Sequence, residues 1–526
     1  MSLYPPGIAD DVPNAGIGAQ PSGVCSSSLF RKTGWSAVAT VTWVSSRFVT
    51  SVAVARLLGP KGVGELAYLM WLAEAVSTLT NLGVQFTVTR FVAELHGQAR
   101  PSEAVILVRW LYLRYLARLA LGALVLGAIG TLSRDRSATS AVWLCLAANF
   151  VLQGMAAFYI AYLAGQQRFD VTAWLNAVAS IALVLGVTAG TLLFGMAGAL
   201  VGYAAGTLPH AALSLRLISR TRSHAQLGPE LRRRCLKYGM FTWLAVIVSA
   251  FVWSRVEIFF LNRYWDTQTI AMFTVGLTLA ALATQGPMLL CGPLLAHLSE
   301  RRGAGDVNAI RRTFATATRL LALMLFPLSF GLASITSVLL PFLYGNAFRP
   351  AVPSAMVLIA FSALAFANVG ASVVHAMERS WFIALGGLAG AVLSLTGCML
   401  VIPAWGAWGA VWSRAAVQSS MIALGLWYIF RHLSCPIPLL ALAKTLSAAL
   451  LSAGVSYSIV SLASKPALAL TLAVPAGALA YLIAVRHLKI VQPDDLRLLE
   501  RTLEAIPVRF SAPVARVSGW LTAERP

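Results

Sequence analysis

Arg47 and Arg255 sit where an arginine is most costly. Each lies near the middle of an apolar stretch of membrane-spanning length, and an ionised group at that depth marks a binding site, a pathway or a structural pairing. A guanidinium stays protonated when buried and presents a planar fork of donors, so its natural ligand is an anion with several oxygens. Two such groups facing each other make one anion site. Trp43 precedes Arg47 by one helical turn and Phe251 precedes Arg255 by the same spacing, at which ring and guanidinium can meet on one helix face. The structural alternative pairs each arginine with Glu257, with Glu74 or with helix-end carbonyls. Glu257 follows Arg255 by two residues, about 200° around a helix, so the spacing predicts that these two do not share a face.

Further cations are weaker candidates for the same anion. Arg114 and Arg118 lie four apart in the third apolar stretch, and Arg319 in the ninth is a repeat-related counterpart of Arg118; all three are close enough to a membrane surface for snorkelling to explain them. Arg414 is read as a gate residue or an interfacial anchor. Glu74 and Glu257 are the clearest acidic groups at membrane depth and are the candidates for binding a coupling ion. Pro287, Pro293 and Pro327 interrupt helices and are candidate hinges, with a static bend as the alternative.

The elements that position these residues are helices. Roughly fourteen apolar stretches, each about 20 residues long as a spanning helix requires, divide the chain between Gly34 and Val485. Mean hydropathy is +0.76, with 58% hydrophobic and 11% charged residues. That composition leaves nothing for a sizeable soluble domain. The fold class is therefore all-α, a polytopic integral membrane protein. The first span is placed near Gly34 to Ala55 and the seventh, taken as one helix, near Tyr238 to Leu261.

A net charge of +21 could suggest nucleic acid, but the basic residues are segregated by membrane side. They cluster between Arg216 and Lys237, between Arg301 and Arg312 and after Arg486, which places both termini in the cytoplasm by the positive-inside rule. Membrane lipids are the expected contact for these clusters, and no nucleic-acid partner is expected. Residues 1–33 read as a disordered tail, 34–219 as a first unit of six spans and 220–237 as a basic linker. Residues 238–430 read as a second unit of six spans, 431–486 as two terminal spans and 487–526 as a second tail, with a short helix near Asp494 to Ala505.

Catalytic signals are missing. The chain has no phosphate-binding loop, no paired zinc motif, no nucleophile elbow and no carboxylate pair set for acid–base work, and its six cysteines show no ligand spacing. No cofactor or metal is expected, and an enzyme is the weaker class of reading.

The chain also resembles itself. A shift of 208 positions aligns Trp35 with Trp243, Ser46 with Ser254 and Arg47 with Arg255. A shift of 211 aligns Arg168 with Arg379, and Gly195-Met-Ala-Gly198-Ala with Gly406-Ala-Trp-Gly409-Ala. Nearly equal offsets predict two parallel six-helix lobes plus a C-terminal helix pair, and such repeats place substrate between lobes near the midplane.

The segment from Ala55 to Gly64 (ARLLGPKGVG), and the following helix end from Asn81 to Glu94 (NLGVQFTVTRFVAE), resemble the Wzx-like oligosaccharide/polysaccharide flippase family. That family belongs to the multidrug/oligosaccharidyl-lipid/polysaccharide exporter superfamily. The resemblance implies a flippase of the bacterial inner membrane. Its cargo would be a polyprenyl-pyrophosphate-linked oligosaccharide for O-antigen, exopolysaccharide or capsule, moved by alternating access around a cationic cavity. It implies pyrophosphate binding at Arg47 and Arg255, and a polysaccharide polymerase and chain-length regulator as partners. A drug/cation antiporter, a lipid II flippase and, in another class, a membrane glycosyltransferase or polymerase are the alternatives.

Overall fold

The computed structural model describes residues 24–132, 139–219, 227–288, 294, 298, 301–302, 306–377, 379–463 and 465–490. Its helices are α1 (Val24–Asn81), α2 (Val84–Gly97), α3 (Pro101–Leu132), α4 (Ser140–Gly165), α5 (Phe169–Ser219), α6 (Pro229–Trp253) and α7 (Glu257–Tyr264). They continue with α8 (Thr267–Met288), α9 (Val307–Tyr344), α10 (Val352–Ser362), α11 (Asn368–Ala376), α12 (Ser380–His432), α13 (Leu439–Leu462) and α14 (Pro466–His487). Among the described residues there is no strand, and nine helical stretches are long and apolar enough to cross a membrane. The all-α polytopic expectation holds. Pro293 and the helix expected near Asp494 lie outside the described residues.

Three of the long helices turn at a glycine. Gly59 in α1 has φ 65° and ψ −176°, Gly195 in α5 has φ 58° and ψ −130°, and Gly406 in α12 has φ 54° and ψ −126°. A left-handed φ costs an L-residue roughly 1–2 kcal/mol, and glycine escapes that cost for want of a Cβ. Gly195 and Gly406 therefore make the same corner, 211 positions apart. The helix ends before Arg168 and Arg379 match too: the Arg168 amide donates to Leu163 O and the Arg379 amide to Val374 O, each at 3.0 Å. The internal repeat is thus carried in backbone geometry.

One element departs from its expected form. The seventh span is two helices: α6 begins at Pro229 and stops at Trp253, Ser254 is extended (φ −79°, ψ −173°), and α7 starts at Glu257. The first helix also begins at Val24, ahead of the expected Gly34.

Buried apolar side chains form one cluster between Val54 and Cys235, a second that is mostly Ile258 to Val411, and a third centred on α9, α11 and α13. Large apolar residues such as Leu124, Leu193 and Leu400 are mostly exposed. Patches on that scale are a liability in water and the ordinary surface of a helix in lipid. The first and second clusters meet where α1 crosses α8 so closely that a Cβ on Gly64 would lie 1.6 Å from Thr267 O.

Candidate functional site

A cavity of about 480 Å³ lies between α1, α5 and α8, and its wall includes Trp43, Arg47, Tyr203, Arg255, Thr278 and Gln285. Arg47 projects from the first arm of α1 and Arg255 from the gap between α6 and α7. The two arginines singled out by the repeat thus line one chamber. Arg47 has its guanidinium carbon 5.9 Å from the Trp43 ring centre, and neither guanidinium makes a hydrogen bond or ion pair with a described residue. Tyr203 stands within electrostatic reach of both. Two cations on one cavity wall, neither in an ion pair with a described residue, create a positive field for an anion to neutralise.

The gap that presents Arg255 is held by Arg414 from α12. Its Nη1 donates to Ser254 O at 3.0 Å and to Glu257 Oε1 and Oε2 at 3.0 and 3.2 Å. Ser254 O belongs to the orphan carbonyls at the end of α6, and Glu257 lies in the first turn of α7, where a carboxylate suits the helix dipole. One guanidinium therefore ties a helix C-terminus to the next N-terminus. Glu257, only 3% exposed, takes Arg414 as its partner. The expectation that Arg255 and Glu257 are kept apart by helical rotation lapses, because they do not share a helix. Arg414 is turned inward onto this pair, and its side chain is 13% exposed.

Arg255 is left open to the cavity, within electrostatic reach of Glu74, Arg47, Arg414 and Glu257. Glu74 lines a smaller cleft of about 220 Å³ with Trp71, Thr78 and Ser254, and its carboxylate makes no ion pair with a described residue. The two acidic candidates thus differ: Glu257 is engaged in holding the break, and Glu74 is not.

The remaining cations do not line the central cavity. Arg114 lies over the Trp110 ring at 4.3 Å. Arg118 Nη1 donates to Asn81 O at 3.5 Å, at the end of α1. Arg319 donates to Thr316 Oγ1 at 3.2 Å and lines a separate cavity of about 420 Å³ with Lys444 and Lys489. Pro287 falls near the end of α8, and α9 continues as one helix through Pro327.

Sequence reasoning missed Tyr203 and Gln285 in the cavity wall. It applied the cost of burial at membrane depth to ionisable groups alone, and the same cost attaches to amides and phenols. It also missed the contacts that bridge the first cluster's helices to later ones at both ends of the cavity. Toward Gly59, Arg56 Nε donates to Leu343 O at 2.8 Å and its Nη2 to Phe342 O, and Ser51 meets the Tyr344 hydroxyl at 3.2 Å. Toward Asn81, Trp243 Nε1 donates to Thr78 O at 2.8 Å, and Arg234 pairs with Glu94 at 2.9 Å.

Residues 29–290, about half of the chain, match the model of a family described as polysaccharide biosynthesis protein. The chain belongs to this family. No curated protein matches the sequence. Among solved structures, a lipid II flippase, MurJ, in an inward closed conformation is similar at 14% identity, covering 87% of this chain and 97% of its own, with a TM-score of 0.68. An inward-facing multidrug resistance MATE family transporter of the MOP superfamily is similar at 15% identity, covering 78% of this chain and 96% of its own, with a TM-score of 0.56. A MOP superfamily transporter from Pyrococcus furiosus, described by the reverse polarity of its binding pocket, is similar at 14% identity, covering 78% and 99%, with a TM-score of 0.55. At these identities the likeness is one of fold. This member of the polysaccharide biosynthesis family has the polytopic fold of MOP superfamily transporters.

Proposed function

We propose that the protein moves a polyprenyl-pyrophosphate-linked oligosaccharide across the bacterial inner membrane, with its termini in the cytoplasm, for assembly of a surface polysaccharide. The observation that carries this reading is the pair Arg47 and Arg255, lining one cavity without an ion pair among the described residues and contributed by repeat-related segments. A pyrophosphate cannot cross hydrocarbon unaided, and two guanidinium forks match its oxygens. In this reading residues 34–219 and 238–430 are two lobes that rock about the cavity, breaking the bridges at one end while those at the other hold. Glu74, in no ion pair with a described residue, is then the better placed acid for a coupling ion.

A second reading, a lipid II cargo, is favoured by the fold shared with the lipid II flippase. Both readings use the same anion site and differ in the sugar. Purified protein in vesicles, given each lipid labelled on one leaflet, separates them: the preferred cargo reaches the opposite leaflet intact. A covalently altered sugar product would instead place the protein among glycosyltransferases or polymerases.

A further inference from the structure

Arg255 lines two cavities. The second, about 340 Å³, is enclosed by α8, α10 and α12, and shares with the central cavity only Arg255 and the small side chain of Ala281. A volume in this range is that of a small-ligand pocket, which spans about 300–1,000 Å³. Its lining changes character away from Arg255. Arg414 is occupied by Glu257 and Ser254, and beyond it the polar groups are neutral: Thr284, Ser362, Asn368 and Gln418.

These groups keep hydrogen-bonding capacity in hand. Gln418 is half-buried, and its amide bonds to no described residue. Among the described residues Asn368 Nδ2 reaches the Met288 sulfur alone, at 3.3 Å, a weak acceptor. The Thr284 hydroxyl donates to Ala281 O at 3.1 Å and the Ser362 hydroxyl to Ile359 O at 2.6 Å. Each donates its one proton to its own helix; Thr284 keeps its oxygen lone pairs for an incoming donor, and Ser362, which also meets the Ser329 hydroxyl at 3.0 Å, keeps one. Phe361 adds an aromatic wall, its ring held edge-on to Trp412 at 6.1 Å. Amides that both donate and accept, hydroxyl acceptors and an aromatic face suit a polyhydroxylated ring, whose rim is polar and whose faces are C–H. They suit a lipid tail or a second phosphate poorly, since a tail wants no amides and, among the described lining residues, the one cation without an ion pair is Arg255.

We infer that this chamber holds the sugars of the cargo: neutral, hydroxyl-bearing rings enter past Ala281 while the pyrophosphate rests between Arg47 and Arg255. The inference deepens the proposed function and rests on it. Arg255 then stands at the junction of phosphate and sugar, and the outline of the chamber selects which oligosaccharide is accepted.

The test uses full-length protein in nanodiscs and two probes, a polyprenyl pyrophosphate without sugar and the same lipid carrying an oligosaccharide of neutral hexoses. The wild type binds the glycosylated probe about tenfold or more tightly than the bare one, the gain of a ligand hydrogen bond left unmade without sugar. Gln418→Leu and Asn368→Leu each remove most of that preference while leaving affinity for the bare lipid within about twofold, well below the tenfold a single 1.4 kcal/mol contact carries. Ala365→Phe, which fills the chamber and replaces no polar group, does the same and stands in for either variant that fails to fold. Equal wild-type affinity for the two probes, or a preference retained in the folded variants, overturns the sugar chamber and leaves the pyrophosphate site standing. Failure of the bare lipid to bind, or binding indifferent to Arg47→Ala, overturns the pyrophosphate site and the chamber with it.

Discussion

The helices that carry Arg47 and Arg255 are equivalent in the repeat, yet α1 runs unbroken past its arginine and the α6–α7 pair parts at its own. On α1 the helix itself fixes the side chain, with Trp43 one turn earlier beside the guanidinium. At the break no local residue does this. Arg414, on a helix remote in sequence, satisfies the loose carbonyl of Ser254 and the buried Glu257 together. The gain is reach: a side chain at a gap can face the central cavity and the second chamber at once, as Arg255 does. The cost is dependence on one buried ion pair.

The largest expected effect tests that dependence. Arg414→Ala strands a buried carboxylate and should lower stability by about 3–5 kcal/mol, whereas Arg47→Ala, which loses a ring contact with Trp43 and no ion pair with a described residue, should stay within about 1 kcal/mol. Melting of the purified variants in one detergent reads the difference, and equal melting temperatures would break the contrast. Replacing Glu257 and Arg414 together by Leu and Met should recover most of the loss, since an apolar pair leaves no uncompensated charge.

A smaller difference separates the two glycine corners. Alanine at either Gly195 or Gly406 must adopt a left-handed φ at roughly 1–2 kcal/mol. At Gly195 the new Cβ meets nothing within 4 Å, while at Gly406 it would lie 2.9 Å from the Trp265 ring. That ring is held in place by its bond to Ile402 O at 2.8 Å. Gly406→Ala should therefore melt below Gly195→Ala, and the reverse order would mean that the Trp265 ring does not set the difference between the corners.

The smallest expected effect concerns the bridges. Arg56 is exposed, so its bonds to Phe342 and Leu343 carbonyls are worth at most about 1 kcal/mol, a shift of roughly fivefold in a population. Arg56→Ala should raise labelling of a cysteine placed at Val63 by a thiol reagent added from the Gly59 end. Unchanged labelling would show that other contacts hold that end closed.

How much of this was legible in the sequence follows from which interactions are local. The spans, and the Gly195 and Gly406 corners, are written in runs and repeats of neighbouring residues. The paired placement of Arg47 and Arg255 in one cavity follows from repeat symmetry alone. The break at Ser254 has no local signature, neither proline nor glycine, because what stabilises it is an arginine 160 positions away. Helical rotation kept Glu257 from Arg255 on the premise of a continuous helix, and could not show that the partner of Glu257 is Arg414, across the fold. Gln285, Asn368 and Gln418 were visible as amides in apolar stretches, but only contacts among three or more helices show that they line cavities.

The central claim is that Arg47 and Arg255 bind the cargo's pyrophosphate and do not hold the fold. The most direct measurement is translocation of a lipid-linked oligosaccharide in vesicles by Arg47→Ala, Arg255→Ala and the double variant, with protein level and melting temperature read in parallel. The account predicts wild-type yield and melting with translocation lost in each, and partial return with lysine, which restores the charge without the bidentate fork. Wild-type translocation by the double alanine variant, or collapse of the fold in either single one, would contradict it.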